Sequence, residues 1–111
     1  MKKINYSNYT LLQPTDQGAA DEFIKSVADY FLQNAEANFV VDLLEFAEIN
    51  HQNIKELISV KQSINAEKYS FVVLINQLKV EDLPEEINTV PTLKEAEDVI
   101  QMEAIERDLG F

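Results

Sequence analysis

Two short apolar runs constrain this chain more than any other feature. The first, Phe39-Val40-Val41-Asp42-Leu43-Leu44, is apolar on both alternating faces except at Asp42. The second, Tyr69–Ile75, reads the same way. A strand that faces water on one side alternates apolar with polar residues. A strand without that alternation needs cover on both faces, as in the middle of a parallel sheet. Between the two runs, Ile54, Leu57, Ile58 and Ile64 recur at helical spacing, with Lys61 at the rim. Lys55, Glu56, Gln62 and Ser63 take the polar side, so a helix over about 50–65 is expected, with Asn50 as its N-cap. Strand, helix, strand is the repeating unit of an α/β fold.

The rest of the chain extends the alternation. Residues 2–13 read as two short strands carrying Ile4, Tyr6, Tyr9, Leu11 and Leu12, with a turn at Ser7-Asn8. Pro14 stops the second strand, and Thr15 or Asp16 is placed to cap a helix over about 18–34. Phe23, Val27, Tyr30 and Phe31 share one side of that helix, and Asn34 through Asn38 end it. Leu78–Glu86 reads as a short helix with Leu83 and Ile87 as its apolar contacts, followed by an edge strand Ile87–Val90 closed by Pro91. Thr92-Leu93-Lys94-Glu95 is a capping box. It opens a last helix to about Arg107 that turns Leu93, Ala96, Ile100 and Ala104 inward. The order β-β-α-β-α-β-α-β-α predicts one α/β domain over 1–111. Its sheet is mixed, mostly parallel and four- to five-stranded, with about four helices.

Composition narrows the function classes. The chain has 111 residues, 46% of them hydrophobic, enough for one core without disulfides or a structural metal. It has no cysteine, which removes thiolate ligands and thiol nucleophiles and fits a reducing compartment. The apolar runs are far shorter than the roughly 20 residues of a membrane-spanning helix. Met1–Ser7 holds two lysines with no apolar stretch behind them, so no signal peptide is read there and a cytoplasmic location is expected. The formal net charge is -11, and residues 81–111 alone hold ten acidic residues against Lys94 and Arg107. Such a surface repels phosphate backbones and anionic lipids, so nucleic acid and membranes are not expected as partners; a basic protein surface is.

Three segments carry a resemblance to a known family. The strand Val40-Val41-Asp42-Leu43 is followed by a six-residue spacer, Leu44–Ile49, and then by the start of a helix. Phe71–Ile75 supplies the next strand, and Thr92-Leu93-Lys94-Glu95-Ala96 opens the last helix. Over roughly 9–106 this pattern resembles a STAS domain, the fold of bacterial anti-sigma-factor antagonists. The family carries Asp-Ser-Ser/Thr-Gly-Leu after the spacer, including a phosphorylatable serine. This chain reads Asn50-His51-Gln52-Asn53-Ile54, with no serine or threonine there. The resemblance implies a non-enzymatic interaction module whose partner is a regulatory protein such as an anti-sigma factor or a switch kinase. The implied partner-binding residues are Glu48, Asn50, His51, Gln52 and Asn53. Without the phosphoacceptor, binding would be constitutive or controlled from elsewhere.

The remaining chemistry is sparse. His51 is the only histidine, and its place at a helix start leaves a second reading open: a small phosphocarrier or phosphotransferase component using that ring. A third reading is a degenerate scaffold subunit, for which a homodimer is the natural form. Glu45, Glu48 and His51 are a weak metal-ligand pattern, and no metal or other cofactor is expected. Asp42 in its apolar strand is expected to end-cap the strand or to accept loop N–H groups, because a buried carboxylate must be paired. The acidic pairs Asp21-Glu22 and Glu85-Glu86 are sequence neighbours and point apart on a helix, unlike a glycosidase dyad. No glycine-rich phosphate loop or nucleophile elbow is present, and Ser59 and Ser63 read as ordinary helix residues. The aromatic residues are not interleaved with basic ones, so they read as core and not as a base-stacking platform.

Overall fold

The computed structural model describes residues 1–15 and 18–110. Five strands form one sheet: β1 (Lys2–Asn5), β2 (Thr10–Gln13), β3 (Phe39–Asp42), β4 (Phe71–Leu74) and β5 (Asn88–Val90). Among the described residues, α1 (Ala20–Phe31) connects β2 to β3, α2 (His51–Gln62) connects β3 to β4, and α3 (Leu93–Asp108) follows β5. The strands lie side by side in sequence order, with β1 antiparallel to β2 and every other pair parallel. This is the mostly parallel α/β sheet that the two apolar runs demand.

The register explains why those runs are apolar throughout. Leu12, Val41 and Val73 lie opposite one another across β2, β3 and β4 and face one core, with α1 and α2. Leu11, Val40 and Val72 form the adjacent row and face a second core, beneath Ala96 and Ile100 of α3. Both faces of β3 and β4 are therefore dry, and all four residues of each strand are buried. The larger core is aromatic at one end: Phe31 lies 4.5 Å from Phe39 and 5.8 Å from Phe71, ring centre to ring centre.

Several expectations change in detail. The helix expected over Leu78–Glu86 is only a 3₁₀ turn at Val80–Asp82. Pro84 disfavours helical geometry at the residue before it, and Leu83 is extended, with ψ 139°. The first helix is shorter than 18–34, and its N-cap is Ala19, with no side-chain cap. Thr15 does not cap it, and Asp16 lies outside the described residues. Ala104 faces solvent, not the core. Thr92 does cap α3, accepting from the Glu95 N–H at 3.2 Å. The Glu95 carboxylate, however, accepts from the Thr92 hydroxyl at 3.0 Å, not from its backbone.

At the end of α3, Arg107 does more than favour the helix dipole. It donates to the Ser70 hydroxyl at 3.0 Å and so ties the helix end to the start of β4. At the same edge of the sheet, the Asn38 side chain accepts from the Ser70 N–H at 2.7 Å and donates to the Asn8 carbonyl at 2.9 Å.

Candidate interaction surface

The carboxyl ends of β3 and β4 lead into the loop before α2 and the loop after β4. Ligands of parallel sheets commonly approach at this edge, because it is here that loops and helix starts converge. Asp42 ends β3 and is 8% exposed. One carboxylate oxygen accepts from the Leu44 N–H at 2.9 Å and the other from the Gln13 side chain at 3.0 Å. Its structural role is the expected one: it turns the chain out of the strand and braces β3 against β2.

The loop from Leu43 to Asn50 is held from three sides. Phe46 and Ile49 are buried and anchor it in the larger core. Gln77, in the loop after β4, donates from one nitrogen to the carbonyls of Leu43 at 2.6 Å and Phe46 at 2.5 Å. Its own oxygen accepts from the Asn76 N–H at 2.9 Å, which fixes the amide's orientation.

The third hold is the start of α2. Asn50 is its N-cap, as the sequence predicts, and its side chain accepts from the Asn53 N–H at 2.8 Å. Asn53 returns the bond, accepting from the Asn50 N–H at 3.0 Å. Its amide nitrogen then donates to Asp21 in the first turn of α1. One side chain thus caps α2 and fastens it to α1.

This geometry divides the five expected contact residues. Glu48, Asn50, His51 and Gln52 are exposed. Asn53 is 1% exposed, so it is a buried joint and not a contact residue. The reason is its position at the third residue of the helix, where its amide is consumed by the cap and by Asp21. Gln52 reaches only Glu56, one turn on, at 3.4 Å. The His51 side chain makes no hydrogen bond, ion pair or ring contact among the described residues. Glu45, Glu48 and His51 are not gathered into a metal-binding group among the described residues.

Beside these residues lies an open depression of about 420 Å³, lined by Asp21, Glu48, Ile49, Asn50, Asn53 and Gln77. Its charged groups are acidic. Two of its members, Asp21 and Gln77, escape sequence reading. Their partners lie about thirty residues away along the chain, and only the sheet order brings them together.

A second polar constellation lies at the opposite edge. Tyr9 stacks on Tyr6 with ring centres 4.8 Å apart and donates its hydroxyl to Glu97 of α3 at 3.1 Å. Burial, the hydrogen bond and the nearby negative charge together push the Tyr9 pKa up to about 12. The pair fastens α3 to the start of β2.

No helix among the described residues is long and apolar enough to cross a membrane. No family model matches the chain, and no curated protein matches it.

Proposed function

We propose that the protein is a non-enzymatic interaction module of STAS-like type that binds a regulatory protein through the loop and helix start at Glu48, Asn50, His51 and Gln52. The observation that carries this reading is the contrast between a fixed frame and an exposed rim. Asn53, Asp21, Gln77 and Asp42 are occupied in holding the backbone, while the four rim residues face solvent. A surface already fixed in its bound shape loses little entropy on association.

The order of elements agrees with the one the sequence pattern predicts, apart from the helix reduced to a 3₁₀ turn. By that resemblance the partner is an anti-sigma factor or a switch kinase. The acidic rim favours a basic patch on it. Asn50 holds the cap and the first turn is His51-Gln52-Asn53, so control by serine phosphorylation at this point has no acceptor and binding is constitutive or controlled from elsewhere.

The test is affinity capture from the native host with the wild type and Gln52→Arg side by side, after both are shown to melt alike. Glu56 can pair with the new cation, so the fold tolerates it. The expected result is a regulatory protein whose recovery falls at least about tenfold in the variant, a loss of about 1.4 kcal/mol. Equal recovery by both overturns the proposed surface.

A further inference from the structure

The outer side of α3 carries a feature that neither the fold nor the α2 surface uses. Met102 is 61% exposed, Ile105 52% and Leu109, the C-cap residue, 64%. Single exposed apolar side chains are ordinary on a protein surface. These three, however, are spaced three and four residues apart, so they stand in one line. They lie on the side of the helix away from Ala96 and Ile100, which are buried on the sheet. A line of this spacing is the a-d-a seam of a two-helix contact.

The residues flanking the seam state what can cover it. With Met102 and Leu109 in a positions and Ile105 in d, Glu106 falls at e and Asp108 at g, where the charges that choose a partner helix sit. The basic residues of α3 are already engaged. Lys94 pairs with Asp98 at 3.0 Å, and Arg107 turns inward to Ser70 at 3.0 Å, with Glu103 at 3.8 Å. A second copy of this chain would set Glu106 and Asp108 against their own counterparts, since a two-fold contact presents the same patch from both sides. An anionic lipid surface meets the same repulsion. We propose that this face of α3 docks a basic amphipathic helix of another protein, with apolar residues against Met102, Ile105 and Leu109 and lysine or arginine against Glu106 and Asp108.

This surface is separate from the α2 surface. The two lie on opposite faces of the sheet, so either can fail without the other.

The test is a titration of the ¹⁵N-labelled full chain, followed by amide chemical shifts. The probe is a synthetic helical peptide with leucine at a and d, lysine at e and g, and alanine elsewhere. Two controls accompany it: a peptide of the same composition in shuffled order, and one with glutamate replacing lysine. The expected result is shift changes concentrated on 99–109. Affinity should be at least about tenfold weaker for both control peptides and for the Met102→Ser/Ile105→Ser double variant. These positions are exposed, so the variant keeps its fold, which its unchanged spectrum elsewhere verifies. Equal binding of the shuffled peptide, shifts centred on another surface, or full affinity in the double variant each overturns the proposal. So does a concentration-dependent dimer that the double variant abolishes, because the occupant is then a second copy.

Discussion

At the residue scale, Asn53 shows why a position in the proposed contact loop need not be a contact. Its amide oxygen caps α2 and its nitrogen holds Asp21, so little of it is left for a partner. Replacing it by alanine removes both bonds and leaves the Asn50 N–H and the Asp21 carboxylate without these partners. The expected cost is about 1–3 kcal/mol in chemical denaturation. Asn53→Arg should cost more, because the longer side chain does not fit the buried site and the cap is lost as well. A stability change within about 0.5 kcal/mol for the alanine variant would contradict the role assigned here. Tyr9 makes a prediction in pH. Its folded pKa is raised to about 12, so the folded state keeps a proton that the unfolded chain releases near 10. The stabilisation is complete below about pH 10 and is lost as pH rises towards 12. Ultraviolet titration should show the Tyr9 ionisation late and coupled to unfolding. In Glu97→Gln that ionisation should move down while staying above the ordinary value, since burial remains. Asp42 was legible in the sequence because a lone carboxylate in an apolar strand has to be paired. The sequence places Asn53 on the contact surface; its spacing from Asn50 is a local signal for the cap and not for burial. Its bond to Asp21 was not legible, because nothing local in the sequence points to that partner.

At the scale of elements, the legible ones were those that packing dictates. β3 and β4 are apolar on both faces because both faces are covered, and α2 is read from its cap and its apolar spacing. The failures are equally physical. Val80–Asp82 has helix-forming neighbours but also Pro84, and its flanks are extended. The start of α1 has no side-chain cap in the structure, so the usual sequence signal for a helix start was misleading there. The loop before α2 depends on a distant clamp, Gln77, whose function no local pattern announces. Gln77→Ala should therefore loosen the loop without melting the sheet. Amide hydrogen exchange should speed up by about tenfold over Leu43–Asn50 and stay unchanged in β3 and β4, where opening requires unfolding of the core. Uniform acceleration, or none, would show that the clamp is not what holds the loop.

At the scale of the whole molecule, the sheet order assembles what the sequence keeps apart. Winding β2, β3 and β4 in sequence order brings the starts of α1 and α2 together on one face, and Asp21 meets Asn53 there. α3 packs on the other face and leaves its apolar seam outward. The net charge of -11 implies that the compact state works against self-repulsion. Added salt screens that repulsion beyond about 8 Å at physiological ionic strength, so the melting temperature should rise as sodium chloride is raised from low concentration. A fall would mean that local ion pairs outweigh the global repulsion. The central claim is that the rim at the start of α2 meets a partner. The most direct measurement is site-specific photocrosslinking in the native host, with the crosslinking residue placed at Gln52 and, as a control, at exposed Gln33 just beyond the far end of α1. A discrete adduct with a regulatory protein is expected from position 52 and none from position 33. No adduct from 52, or the same adduct from both, would contradict it.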